Sequence, residues 1–479
     1  MNRRDIVTGL TTGAAAGAAA AAVEAAAVGA AAAGSAPAAA AINARGSISI
    51  ASPGKLAGVD GKMLVNKPRA YQILEEYKLD GLIAANPVNV YYLSNTMPIG
   101  MKMRWEFPAF ATFARDPTQP SFLVTTTAQS WDLVNGDREV PELIPYSSPA
   151  NWQDYVGAGP DKMHDEPKAS VGGYMVRDGA KLLPREQRWA DTLTHYNQNA
   201  APTPAWALVR ALRESGLTKG RIACDDMRVK YLLDELGIEG IELVPGDGIF
   251  RMIRMIKSEP EIALMRIAGH NNGIAAMRTI RSIERGMRFD DVERRFRAEA
   301  AALGSDLTFI IAGVTLGFFP DGEAVPGKAF LVDAVSRFRE YHGDFARTVC
   351  IGDPPPDVLA RARANKIGRE AVFEIMKPGT KFSDLRRVAR EAMVKAGMPE
   401  KAIVANPHSV GLQHSDHPNR LDLRLPVPID HVLAENMTLT MDLPYIEVGW
   451  GAGHNEDLVR ITKTGYEALN EESDPLVVI

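Results

Sequence analysis

Two kinds of apolar spacing alternate along the chain. From about residue 60 to residue 245, helical and strand-like stretches follow one another. LEEYKLDGLIAANPVNVYYLSN reads as a helix, a buried strand over Gly81–Ala85, a turn at Asn86–Pro87 and a further strand. GRIACDD reads as a strand, and MRVKYLLDELG as a helix stopped at Gly237. This rhythm is that of an α/β layer domain. The stretch Ser147–Glu186, rich in Gly, Pro and Asp, interrupts it as a loop-dominated insertion.

The pattern changes at IFRMIRMIKSEPEIALMRIAGHNNGIAAMRTIRSIERGM. Here a strand-like lead-in precedes a long amphipathic helix opened at Ser258 and Pro260. From there to Ile479 the pattern predicts two helices, a hairpin, two more helices and a closing set of strands. The expected organisation is an α/β N-terminal domain over residues 42–246 and an α+β C-terminal domain over residues 247–479.

The first 41 residues need separate treatment. Arg3 and Arg4 precede an Ala/Gly/Val run that ends in a small-residue stretch at Ala36–Ala41, although Glu24 lies inside it. This composition is similar to a twin-arginine export signal, so the expected location is the periplasm, with no membrane attachment after cleavage. Alanine is a weak lipid anchor and Glu24 is costly in hydrocarbon, which disfavours a spanning helix. The remaining composition is that of an ordinary globular protein, with 46% hydrophobic and 24% charged residues. A net charge of −5 gives no footing for nucleic acid as a partner. Cys224 and Cys350 lack CxxC spacing, which disfavours a thiolate zinc site. They read as buried free thiols, with pairing left open.

The candidate chemistry lies in the last third. Asp333, Asp344, His408, Asp442 and Glu456 each sit among alternating or apolar residues, in LVDAVSRFREYHGDFART, NPHSVGLQHSDHP, NMTLTMDLPY and HNEDLVRIT. A carboxylate buried on an apolar strand is costly unless it is paired or holds a metal. A hairpin turning around Phe338 and Arg339 would set Asp333 opposite Asp344 on one face, where they would repel unless a cation lay between them. The alternative is a pair of aspartates capping a turn or pairing with Arg337 or Arg347. Arg347 is expected to donate to a ligand carboxylate. Asp457, beside Glu456, should face the other way along its strand. An oxygen-rich set with one imidazole suits one or two ions of Mn²⁺, Fe²⁺, Co²⁺ or Zn²⁺.

These segments together resemble the pita-bread metallopeptidases, the M24 family of Xaa-Pro aminopeptidases, prolidases and creatinase. IKSEPEIALMR resembles the start of their catalytic domain. VDAVSRFREYHGDFART, with ten residues between Asp333 and Asp344, resembles their paired-aspartate hairpin. HSVGL and NEDLVRITKTGYE resemble their later motifs, and LDGLIAANPVNVYYLSN resembles the N-terminal domain of the prolidase and creatinase branch. The resemblance implies a pita-bread catalytic domain and a homodimer. It also implies metal ligation by Asp333, Asp344, His408, Asp442 and Glu456, and cleavage of dipeptides or similar small substrates by water activated at the metal. It gives Asp442 the role of proton shuttle, although the family carries glutamate there.

Other departures fall on the substrate side. The family's histidine upstream of the first aspartate is absent, and Phe318 and Phe319 occupy that region. Its second histidine after His408 falls on Ser415, so that His414 or His417 could substitute. His454 stands where proline-specific members have arginine, and could donate to substrate when protonated. His414 and His454 are therefore catalytic candidates, and Phe318, Phe319, His417 and His454 substrate-binding candidates. Alternatives on the same scaffold are a metal-dependent lyase resembling the dimethylsulfoniopropionate lyase branch and a metal-free creatinase-like or binding protein.

Overall fold

Ser258 opens the helix Glu259–Arg281 with a capping box: its hydroxyl accepts from the Glu261 amide at 3.4 Å, and the Glu261 carboxylate accepts from the Ser258 amide at 2.8 Å. Such a cap contributes about 1 kcal/mol. The structure, a computed structural model, describes residues 56–104, 109–129, 142–151, 153, 165–170, 175–418, 430–471 and 473–479. The export-like segment 1–41 and much of Ser147–Glu186 lie outside these residues; the described part of that stretch already enters a helix at Pro184. Residues Ile50–Ile479 form one compact unit.

The N-terminal part builds one six-stranded sheet from β1 (Gly81–Ala84), β2 (Phe110–Ala114), β3 (Phe122–Thr126), β4 (Glu142–Tyr146), β5 (Gly220–Cys224) and β6 (Ile241–Pro245), in the order β4-β3-β2-β1-β5-β6. Two local expectations are corrected here. VNVYYLS is a helix, Pro87–Ser94, not a strand. Asn86 caps it by accepting from the Val88 amide at 3.1 Å, and Pro87 opens it with its fixed φ, which outweighs the β preference of Val and Tyr. The lead-in at residue 249 is likewise helical, within Asp247–Arg254. Cys224 and Cys350 are both free and buried.

Among the described residues, the C-terminal part has two larger sheets, each packed against helices, and a separate two-stranded hairpin. β7 (Asp306–Gly313), β8 (Phe330–Phe338) and β9 (Tyr341–Cys350) form a meander. β10 (Asn406–Ser409) and β11 (Thr438–Asp442) begin the second sheet, and a short hairpin joins β12 (Tyr445–Glu447) to β13 (Gly451–Gly453). β14 (Glu456–Asp457) adds to the edge of β9, while β15 (Val459–Ile461) and β16 (Tyr466–Ala468) extend the second sheet. β17 (Leu476–Val478) pairs with β9 in parallel.

Strand alternation gives each sheet one apolar and one chemical face. Val332, Ala334, Phe345 and Val349 pack with the helices Glu259–Arg281 and Phe289–Ala302. Leu439 and Met441 share a core with Phe382, Leu385 and Ala389 of the helix Phe382–Lys395. Gly343 lets the first helix lie directly on β9, since a Cβ there would stand 2.4 Å from the Ala268 carbonyl oxygen. The remaining alternate positions carry Asp333, Asp344, His408, Thr440 and Asp442.

Candidate metal centre

Register aligns the acidic residues. Glu456 pairs with Ala346, and Ala346 pairs with Asp333, so the two carboxylates flank a methyl group across three adjacent strands. Asp344 lies two residues from Ala346 on the same face. The hairpin does not turn at Phe338 and Arg339 as expected. Arg339 (φ 46°) and Glu340 (φ 66°) form a two-residue left-handed turn that closes Phe338 onto Tyr341. Asp344 therefore pairs with Val335, and the two aspartates are diagonal neighbours rather than directly opposed. In the second sheet, His408 pairs with Thr440, and Asp442 ends β11 opposite Asn406.

All five sequence candidates converge. His408 Nε2 lies 3.4 Å from Asp442 Oδ1, 3.4 Å from Glu456 Oε1 and 3.7 Å from Asp344 Oδ2. Its Nδ1 is 3.1 Å from the carbonyl oxygen of His414, which accepts and so turns Nε2 towards the carboxylates. Burial and repulsion from Asp344 and Asp442 push Asp333 well above the usual carboxylate range. Burial and the same two charges raise Glu456. Burial also acts on Asp442, but hydrogen bonds from Glu456 and His408 outweigh it and hold Asp442 ionised. Burial opposes protonation of His408, whereas hydrogen bonds to Asp442 and Glu456 raise it.

The donor atoms fit a cation. Asp333 Oδ1, both oxygens of Asp344 and both ring nitrogens of His454 are buried without a hydrogen-bond partner. Unpaired buried polar atoms are costly, and a divalent ion would engage them. Three groups bring one ligand atom per residue within 4.8 Å of one another: Asp344, His408 and His414; Asp333, His454 and Glu456; and His408, Asp442 and Glu456.

The other candidates divide. His414 Nε2 reaches to 3.1 Å from Asp344 Oδ2, on the open side of the cluster. His454 lies inside the acidic cluster. It is buried 3.8 Å from Asp333 Oδ2 and from Glu456 Oε2, and burial lowers its pKa, so the ring is neutral and suited to ligation. His417 turns away: its Nδ1 accepts from the Ser409 amide at 3.3 Å, and its ring meets Phe382 and His431. Phe318 stands edge-on to Phe309, which itself lies against the His414 ring, so one of the two expected aromatics adjoins the site. Phe319 is 92% exposed.

Arg347 does not donate to a ligand carboxylate. It pairs with Asp457 at 2.5 Å and donates to the Glu456 carbonyl at 2.8 Å. Asp457 also pairs with Arg369 at 2.6 Å, which makes it a buried ion-pair centre behind the cluster. Two residues were not anticipated. Thr440 donates to Glu456 Oε1 at 2.5 Å and lies 3.1 Å from His408 Nε2. His342 shares a face with Asp344 and Ala346, sits 3.0 Å from the Gly411 carbonyl oxygen, and is pushed down to about 4 by burial. The two-residue spacing of 342, 344 and 346 on one strand was the available signal for His342.

Residues 263–463 match the sequence profile of metallopeptidase family M24, and this part of the chain belongs to that family. "Probable dipeptidase PepE" of Mycobacterium tuberculosis is 27% identical over 264 residues, covering 53% of this chain and 69% of that protein. An Xaa-Pro dipeptidase of Lactobacillus delbrueckii subsp. lactis is 24% identical over 236 residues, covering 47% and 63%. The fold superposes on a dipeptidase from Pyrococcus horikoshii with a TM-score of 0.61 at 18% identity, covering 86% of this chain and 99% of that one. The fold is the pita-bread fold, and the chain is a metallopeptidase-like hydrolase.

Proposed function

We propose that the protein is a metal-dependent peptidase that cleaves dipeptides or similar small amides, with Asp333, Asp344, His408, Asp442 and Glu456 holding one or two divalent ions. His454 is a further nitrogen ligand in this reading. The observation that carries it is the buried, unpartnered set of Asp333, Asp344 and His454 atoms at the centre of four carboxylates. A divalent ion bound there supplies Lewis-acid polarisation of an amide carbonyl and acidifies water. Asp442, whose side chain is more exposed than that of Glu456, is the carboxylate placed to take a proton from the attacking water and pass it to the leaving amine. His414, on the open side, donates to the substrate. Phe309 and Phe318 give that side an apolar wall.

The relatives named as dipeptidases support the substrate class. The replacement of arginine by a neutral, buried His454 argues against strong proline specificity. The twin arginines at Arg3 and Arg4 support an exported form, which their replacement by lysine would retain in the cytoplasm. The test of activity is a kinetic comparison, with Mn²⁺ or Co²⁺ supplied, of Gly-Pro and Ala-Pro against other dipeptides and N-acyl amino acids. Metal-dependent turnover is expected, faster on substrates lacking proline. Xaa-Pro turnover with kcat/KM in the range of about 10⁴–10⁸ M⁻¹s⁻¹ would contradict the specificity reading, and no metal-dependent hydrolysis of any member would contradict the function.

A further inference from the structure

We propose that Asp416 is a positioning residue that, clamped by Arg254 and Lys257, fixes the loop carrying His414 so that His414 stays against Asp344. The proposal rests on the peptidase reading of the cluster and adds to it a part of the molecule outside the metal centre.

His414 needs such support. It follows β10 on a loop outside the sheet, its side chain is 37% exposed, and its ring is held by contacts with Phe309 and His408 at 5.1 and 4.7 Å between centroids. Two residues on, the chain is anchored firmly. Asp416 has its side chain fully buried, with Arg254 Nη2 2.8 Å from Oδ1 and Lys257 Nζ 3.1 Å from Oδ2, both cations equally buried. Arg254 also donates to Gln413 Oε1, the neighbour of His414 on its other side, and to Asn89 Oδ1 in the N-terminal part. Asn89 is in turn fixed to Asp225 at 2.8 Å. Gln413 and Asp416, on either side of His414, are thus tied to one guanidinium that is itself held by Asn89 on the N-terminal helix Pro87–Ser94. The Asp416 amide donates to the Ser409 carbonyl at 2.9 Å, which closes the loop back onto β10. Gly411 leaves room for this closure, since a Cβ there would stand 2.3 Å from Asp416 Oδ2 and 3.0 Å from Lys257 Nζ.

A double-mutant cycle in the full chain separates positioning from general support. Asp416→Asn should lower kcat on the best dipeptide by about 10–100-fold, as loss of a residue that orients a ligand does, with KM little changed. In protein carrying ¹³Cε1-labelled histidine and no added metal, it should shift the His414 ring signal and leave that of His454 in place. His414→Ala should lose a comparable amount, and the double variant should be no worse than His414→Ala alone. Multiplying losses in the double variant, or an unmoved His414 signal, would overturn the proposal. If Asp416→Asn does not fold, Gly411→Ala displaces the same carboxylate without changing charge and must show the same coupling to His414. A wild type inactive on every dipeptide would refute the peptidase reading, while the His414 ring signal would still decide the positioning role.

Discussion

Asp344 has both carboxylate oxygens buried and neither in a hydrogen bond, with His408 and His414 beside it at 3.7 and 3.1 Å. Around it, burial and repulsion drive Asp333 and Glu456 towards protonation while Asp442 keeps its charge, which is the electrostatic setting a bound cation relieves. Thr440 is the hydroxyl that orients Glu456. Thr440→Val should lower Mn²⁺ affinity about 10–100-fold and destabilise the protein by about 1–3 kcal/mol through the unsatisfied carboxylate, read by calorimetric titration and thermal unfolding. Unchanged affinity would mean that the Thr440 hydroxyl does not orient a ligand. The acidic residues were legible in the sequence because a carboxylate among strand-spaced apolar residues demands a partner; His408 was legible through the family resemblance, since a lone histidine on a turn is ordinarily a surface or core residue. Thr440 was not, because threonine in TLTMD is an ordinary strand residue. The burial of His454 was not legible either, because it depends on packing against β8 and β9, whose Asp333 and Thr348 are more than a hundred residues away.

At the scale of elements, register builds the site. Three adjacent strands place Glu456, Ala346 and Asp333 in one row, and the small central side chain leaves the gap between the carboxylates. Ala346→Leu should fill that gap, abolish metal binding without touching a ligand, and destabilise by about 1–3 kcal/mol as overpacking does; titration with Co²⁺ checks it, and retained binding would show that the carboxylates do not converge above Ala346. The hairpin, the long capped helix and the order of helices and strands could be read from apolar spacing. The register could not, because it depends on which two residues take left-handed backbone, and Arg339 and Glu340 carry no turn signature of the Asn-Gly kind. The helix Pro87–Ser94 was misread for a similar reason: its Val and Tyr residues suit strands, and the Asn86 cap with core packing on both sides decides otherwise.

Across the whole molecule, a continuous core joins the N-terminal sheet to the catalytic half, with Leu82, Tyr92, Ile253, Tyr341 and Val410 in one cluster. Buried charge runs through the same region. Burial raises Glu261 from its ordinary 4.5 to about 7 against the opposing pull of Lys257, with Asp416 adding to the rise and Tyr341 donating to it at 3.1 Å. A carboxyl raised on folding contributes stability that is full below its unfolded value and is lost as pH climbs through the folded one. Between about pH 4.5 and 7 this group should make the protein less stable as pH rises, and Glu261→Gln should flatten that part of the Tm–pH profile. A variant with an unchanged slope would place the titration elsewhere. The account as a whole depends on the cluster binding metal. Its most direct test is elemental analysis of the purified full chain and of Asp344→Ala, each dialysed against the same Mn²⁺ or Co²⁺ buffer. The prediction is one or two ions per wild-type chain and none in a variant that still unfolds cooperatively. Equal metal content in the two proteins, or none in either, would contradict it.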